Sequence, residues 1–228
     1  MTRRPLRLLH TSDLHIGANR VDPHLNVLKS VLDLGAAAKA DGVLMAGDIF
    51  DNNRIEQGLL DDAVSVMAAS RLPITILPGN HDCLLEGGVY DRGAFWTAGI
   101  TVLGATHGEL ASFDRLNLVV WGRPHRDHKD LLPLRDVPEC EERHWRVNVA
   151  HGHWVKVPED ERRAYRIFDA DLEAQAADYL ALGHWDVFTR VESSSPAYYS
   201  GSPFYSGSVN IVELEEGSPL RVSRLRIE

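Results

Sequence analysis

The chain has 228 residues, 44% of them hydrophobic, which is enough for a sizeable core in one large domain or two small ones. A formal net charge of −9 excludes a surface that attracts nucleic acid as a whole, though not a local basic groove. Cys83 and Cys140 are the only cysteines, which excludes a disulfide framework and makes a reduced, cytoplasmic setting the expectation.

Arg3, Arg4 and Arg7 open the chain, but Asp13 follows too soon for a signal-peptide apolar core. No apolar stretch approaches a membrane span, so no membrane association is expected. Residues 6–11 read as a first strand running into Ser12-Asp13-Leu14-His15. Asp22-Pro23 reads as a helix start, with Asp as cap and Pro at the first helical position. Leu25, Leu28, Val31, Leu32 and Leu34 follow at mostly helical spacing, and Asp41-Gly42 closes the helix. Residues 43–46 form a strand that runs into Gly47-Asp48-Ile49-Phe50-Asp51. Residues 55–70 form a second helix with Leu59, Leu60, Ala63, Val64 and Met67 as its buried stripe. Strand 74–77 then delivers Gly79-Asn80-His81-Asp82. This βαβαβ opening implies a parallel sheet with helices on its faces.

In the second half, residues 100–103 and 118–121 are strand-like, with no obvious helix between them. Residues 123–144 carry many charges and prolines and read as loop with one short helix. Strand 145–150 runs into His151-Gly152-His153, and strand 179–182 into Gly183-His184-Trp185-Asp186. Residues 187–191 read as an antiparallel continuation, 193–208 as loop, and 209–214 with 220–227 as a closing hairpin. With no repeat or flexible linker, residues 1–228 read as a single α/β domain of two packed sheets flanked by helices.

Strand ends at the lip of a sheet are where α/β folds bind ligands. Asp13, His15, Asp48, Asn80, His81, His151, His184 and Asp186 all stand at such ends. A carboxylate there is costly to desolvate unless a cation or hydrogen bonds answer it. Carboxylates, imidazoles and an amide oxygen suit a hard or borderline divalent ion, and the absence of cysteine speaks against structural zinc. The set is too large for one ion and about right for two. At an effective dielectric of about 20, two dications roughly 3.5 Å apart repel by about 19 kcal/mol, whereas one bridging carboxylate contributes about −32 kcal/mol. Asp48 is the candidate bridge. Taken singly, each residue has a plainer reading: an Asp after a strand is often a turn or cap, and a lone His is often a packed loop residue. His153, two residues after His151, faces the same way on an extended chain and is a possible further contact. His10, His107, His125, His128 and His144 read as surface or packing residues. Tyr198, Tyr199, Phe204 and Tyr205 could stack bases, though a loop packing its own aromatics is the simpler account.

The motif order Asp13-Leu-His15, Gly47-Asp48-Ile-Phe-Asp51, Gly79-Asn80-His81-Asp82, His151, Gly183-His184 resembles that of the calcineurin-like metallophosphoesterases. The strings Leu-Leu-His-Thr-Ser-Asp-Leu-His-Ile-Gly, Ala-Leu-Gly-His-Trp and Tyr-Ser-Gly-Ser-Pro are similar to the Mre11/SbcD DNA exonuclease branch. The resemblance implies a four-layer αββα sandwich of two mixed sheets. It implies two divalent ions, manganese first, with iron, magnesium or zinc as alternatives. Asp13, His15 and Asp48 would hold the first ion with residue 186 as a further ligand; Asp48, Asn80, His151 and His184 would hold the second. A water-derived nucleophile would attack phosphorus in line, His81 would protonate the leaving group, and Asp51 would orient His81. The family usually places His where Asp186 stands, so this position implies a more oxygen-rich first site. Nucleases of the branch continue into a DNA-capping domain and a segment that binds an SMC-like ATPase. Here the chain stops at Glu228, directly after its last strand, so neither is expected and such a partnership is disfavoured.

The implied activity is a two-metal phosphoesterase, a phosphodiesterase or nuclease-like enzyme with DNA as a candidate substrate. Acidic charge favours a small phosphoester instead. A non-catalytic metal-binding scaffold on the same fold is a third reading. His151-Gly-His153 also matches the His-x-His of amidohydrolases, but those carry it near the start of a larger barrel. Oligomeric state is left open.

Overall fold

Strands read from uninterrupted apolar runs must be covered on both faces, and the computed structural model shows how. It describes residues 3–18, 23–138, 144–157 and 162–227.

β1 (Leu6–Thr11) is followed by α1 (His24–Ala37), β2 (Gly42–Ala46), α2 (Gln57–Ala69) and β3 (Ile74–Leu77). Pro23 occupies the cap of α1, not its first helical position, and Asp22 lies outside the described residues. The helix stops at Ala37, short of Asp41-Gly42, because Lys39 turns left-handed at φ 54°. Next come α3 (Val89–Arg92), β4 (Thr101–Val102), β5 (Leu110–Phe113) and β6 (Leu118–Gly122). β5 is absent from the sequence reading; it pairs antiparallel with β6 across a 3-10 turn over Asp114–Leu116. Residues 123–138 contain neither helix nor strand, so the short helix expected there does not form among the described residues; Cys140 lies outside them.

β7 (Trp145–His151), β8 (His153–Trp154), β9 (Arg166–Ile167), α4 (Asp169–Glu173) and β10 (Tyr179–Gly183) lead to β11 (Thr189–Val191), β12 (Ala197–Tyr199), α5 (Pro203–Ser206), β13 (Ser208–Leu214) and β14 (Arg221–Arg226). Two expectations change here. The segment after β10 does not pair with it: β11 pairs antiparallel with β12, and β12 takes the place beside β10. The stretch 193–208 is therefore not all loop. Ala197 and Tyr199 are fully buried, and that burial draws the segment into the sheet.

The first sheet has the order β14-β13-β1-β2-β3-β4, and the second β11-β12-β10-β7-β6-β5. β1 to β4 run parallel to one another, as do β6, β7, β10 and β12. The remaining strands of each sheet pair antiparallel, so both sheets are mixed. Alternation along each strand sorts the layers. Leu8, Leu44, Ala46 and Leu77 face Val120, Val147, Val149 and Ala181 between the sheets. Leu9, Val43, Met45 and Ile76 pack on the other face beneath Leu28, Val31 and Leu32 of α1 and Leu60, Val64 and Met67 of α2. Ala150, Leu180 and Leu182 pack outward under Trp154, Ile167 and Leu172, so α4 and the small β8–β9 sheet cover the second sheet. The result is an α/β fold of two packed mixed sheets with helices outside.

Candidate metal centre

Parallel strands end together. β1, β2 and β3 are neighbours in one sheet, β7 and β10 in the other, and β2 packs across the gap onto β7 and β10. Their C-terminal ends therefore meet. Beyond the sheet, the loops after β1 and β2 stay zipped: Asp13 N–H donates to Gly47 O (3.0 Å) and His15 N–H to Asp48 O (3.0 Å).

The backbone bends sharply to aim side chains into this gap. Asp13 (φ 54°), His15 (φ 49°), Asp48 (φ 53°) and His184 (φ 102°) are all left-handed. Each costs on the order of 1–3 kcal/mol, and such residues cluster at functional sites. Gly79 is required by closeness: a Cβ there would lie 2.2 Å from Asp48 Oδ1. Gly47 (φ 88°) meets the same limit, with a Cβ 2.2 Å from His151 Nδ1.

Two groups of donor atoms result, each with its atoms within 4.8 Å of one another: His15, Asp48 and His81, and Asp48, His151 and His184. Asp48 belongs to both. Asn80 joins the second group, with Oδ1 3.1 Å from His151 Nε2. Asp13 is buried beside them, and its Oδ2 accepts from His184 N–H (2.9 Å). His81 N–H donates to Asp48 Oδ1 (2.9 Å), fixing the shared carboxylate.

The electrostatics show what the donor set fits. His151 Nδ1–H donates to the Ala46 carbonyl (2.8 Å). Its Nε2 then faces two oxygens, Asn80 Oδ1 at 3.1 Å and Asp48 Oδ2 at 3.2 Å. A neutral ring would point a lone pair at both, so a proton or a cation must lie between them. Burial alone would lower the His151 pKa, but the Asp48 carboxylate overrides it and raises it to about 10. Burial acts on Asp48 in the raising direction, yet His151 beside it holds its carboxyl well below the usual range. Burial lifts Asp13 to about 6, with His151 opposing and Asp48 adding to the rise. Burial lowers His184 to about 3, and the charge on His151 adds to that. The donor set thus fits divalent cations: a bound ion would take the place of the His151 proton.

The structure does not bring every candidate into these groups. Asp186 is exposed and lies outside both; its backbone carbonyl accepts from Ser202 N–H (3.1 Å). His153 lies outside both as well, its ring 6.2 Å from that of His184 and its Nδ1 accepting from Trp185 Nε1–H (3.1 Å). Asp51 does touch His81, but through its backbone carbonyl, which accepts from His81 Nδ1–H (2.8 Å). Its carboxylate is turned to His15 Nδ1, 3.5 Å away, and to Asn52. Tyr199 is buried, donating to Gly152 O (2.9 Å), so it packs and is not free to stack a base.

Two supporting residues escaped the sequence. Asp82 is fully buried and accepts four hydrogen bonds, three of them from backbone N–H groups of the loops that carry Asp48 and Asn80. His125 is buried too, and its Nε2–H donates to the His151 carbonyl (2.9 Å). Asp82 stands inside a quoted motif, but only burial reveals its role. No periodicity marks His125 in its irregular stretch.

Residues 6–209 match the calcineurin-like phosphoesterase family. The chain belongs to that family. By class it is a metal-dependent phosphoesterase, as the motif order implied. A subunit of the SbcCD nuclease of Bacillus subtilis (strain 168) is 27% identical over 264 residues, covering 93% of this chain and 67% of that protein. The DNA double-strand break repair protein Mre11 of Thermoplasma acidophilum is 24% identical over 252 residues, covering 96% of this chain and 65% of that protein. The chain thus spans about two thirds of the length of these relatives. The crystal structure of TT1561 of Thermus thermophilus shares the fold, with a TM-score of 0.67 over the whole of both chains at 11% identity. Among the described residues, no helix is long and apolar enough to cross a membrane.

Proposed function

We propose that this phosphoesterase cleaves phosphodiesters with two divalent ions, and that nucleic acid is its substrate class. The observation that carries the two-ion reading is Asp48, shared by both donor groups. His15 and Asp48 would hold one ion, with the buried Asp13 as their third ligand in place of the exposed His81; Asp48, Asn80, His151 and His184 would hold the other. The carboxylate and amide oxygens suit manganese or magnesium and the imidazoles suit iron or zinc; manganese is the metal used in the test below. When bound, the ions supply charge that stabilises the phosphoryl oxygens and acidifies water.

The chain's own residues do the rest. His81 Nδ1–H is committed to the Asp51 carbonyl, which leaves Nε2 to carry a proton to the leaving oxygen. His81 is also exposed, as a group serving a substrate from solvent must be. The His151 ring is oriented by its Nδ1–H on the Ala46 carbonyl, and its main chain is held by His125 on its own carbonyl. The similarity to proteins named as a nuclease subunit and a double-strand break repair protein supports nucleic acid. The net charge of −9 supports a second reading, a small phosphoester.

The test is a manganese-supplemented panel of bis-p-nitrophenyl phosphate, p-nitrophenyl phosphate and single-stranded DNA. Metal-dependent cleavage of the diester above the monoester, together with DNA cleavage, is expected. Diester cleavage without DNA cleavage would favour the small ester. No turnover by protein carrying two ions would overturn the catalytic reading.

A further inference from the structure

Beside the metal centre, on the side of β3 and β4, lies a cavity of about 610 Å³ that the chemistry above does not use. Leu84, Glu86, Asp91, Trp96, Thr106 and Arg126 help to line it. It abuts the centre through a short chain of contacts. Leu84 N–H donates to the His125 carbonyl (2.9 Å), and His125 donates in turn to the His151 carbonyl (2.9 Å). Arg126 is the next residue along. Tyr90, also in the wall, donates to Asp82, which holds the Asp48 and Asn80 loops.

Trp96 stands out among the tryptophans. It is 69% exposed, whereas Trp121, Trp145 and Trp154 are 2%, 3% and 8% exposed. His107 is its one ring neighbour among the described residues, tilted at 41° with centroids 5.8 Å apart, so most of the indole stays open to water and can stack a ligand. The volume lies within the range of small-ligand sites, roughly 300–1,000 Å³. The charge of the walls narrows the ligand further. Two carboxylates, Glu86 and Asp91, outnumber the single guanidinium of Arg126, which Glu109 already holds at 3.2 Å. A phosphate is therefore disfavoured in this cavity and favoured at the neighbouring metal centre. What suits the cavity is a planar ring that offers N–H donors to carboxylates and a face to indole.

We propose that this cavity binds the nucleobase of a phosphodiester whose phosphate occupies the metal centre, with Trp96 as the stacking platform and Glu86 and Arg126 at the polar edge of the ring. This rests on the phosphodiesterase reading above. Stacking of one base on an aromatic side chain changes affinity by about tenfold or more. The cavity would thus choose among phosphodiesters by what they carry beyond phosphorus.

The test compares deoxyadenosine 5′-monophosphate with 2-deoxyribose 5-phosphate, titrated calorimetrically into manganese-loaded protein. The base-bearing ligand should bind about tenfold more tightly. Trp96→Ala should abolish that preference and leave the sugar phosphate unchanged; Trp96→Phe should keep most of it, because a phenyl ring still stacks. Equal affinities in wild type, or no binding of either ligand, would overturn the assignment. So would a Trp96→Ala variant that keeps the preference but dissociates an oligomer in light scattering, since Trp96 would then face a second copy. Hydrolysis of methyl p-nitrophenyl phosphate is measured in parallel. If that activity is absent while the base preference holds, the catalytic reading fails and the cavity assignment stands. If the activity is present and the preference absent, only the cavity assignment fails.

Discussion

Replacing Asp82 by Asn changes one atom and should unsettle the whole centre. Asp82 Oδ2 accepts from Ile49 N–H (2.8 Å), Phe50 N–H (3.1 Å) and Tyr90 O–H (2.7 Å), and Oδ1 accepts from Gly79 N–H (2.7 Å). An Asn would keep its oxygen on the side with three donors and turn its amide nitrogen toward Gly79 N–H. That leaves a buried donor unmatched, at about 1–3 kcal/mol, and drops three bonds from charged to neutral strength, at roughly 1 kcal/mol each. Something is returned, because burial and the nearby charge of Asp48 both push the Asp82 carboxyl pKa upward, so its ionised form is held at a cost. A net loss of about 3 kcal/mol corresponds to a fall of about 6–12 °C in Tm for a chain of this size. Tyr90→Phe removes one of the four bonds and should cost about 1–2 kcal/mol. Calorimetry of both variants and wild type in chelator checks the order. An Asp82→Asn midpoint within about 2 °C of wild type, or above that of Tyr90→Phe, would refute the reasoning.

Asp48→Asn should lose at least one of two bound ions by elemental analysis, because Asp48 is the residue common to both donor groups; full occupancy would remove the bridging role. His81→Ala should keep both ions while kcat on alkyl esters falls by roughly 10²–10⁴, the usual contribution of a general acid. Its p-nitrophenyl esters should suffer less, since that leaving group needs no proton, and equal losses would count against the acid. Asp186→Ala should leave metal content and activity near wild type, as its side chain is exposed and outside both groups; loss of an ion would restore it as a ligand. Without metal, stability should peak near neutral pH. As pH falls below the ordinary His value of 6.5, buried neutral His10, His125 and His184, held near 3, 4 and 3, favour unfolding; as pH rises above 6.5, the His151 contribution is lost through about 10. Thermal midpoints that change in one direction only across that window would contradict this.

What the sequence revealed follows from how a parallel sheet is made. An apolar run that ends in Asp, Asn or His states both the strand and the place where it stops, so β1, β2, β3, β7 and β10 and their terminal residues were readable together. β5 and β12 were not, because their short runs, Leu-Ala-Ser-Phe and Ala-Tyr-Tyr, owe their form to pairing with distant strands and to burial of Tyr199. Asp186 was read as a ligand because it follows the strand-end His184 and fills the place where the family usually has His. Here His184 is left-handed at φ 102°, and Asp186 is exposed and outside both donor groups. The carboxylate of Asp51 was misassigned for a related reason. A residue can orient a neighbour with its backbone, and no side-chain pattern records that.

The residues that would bind metal are the ones least able to hold themselves in place. Asp13 and Asp48 are like charges buried together, and four non-glycine residues at the centre sit in left-handed backbone. Left to themselves these loops would relax. They are held by groups that never approach a ligand position. Asp82 pins the loops after β2 and β3, and the β1 loop is laced onto the β2 loop by backbone hydrogen bonds. His125 fixes the His151 main chain. The division has a consequence for variation in this centre. A ligand substitution removes a costly charge and can leave the fold intact, while a change at Asp82 or His125 removes the restraint and leaves the costs behind. Loss of activity with retained stability should therefore mark the ligands, and loss of both should mark their supports.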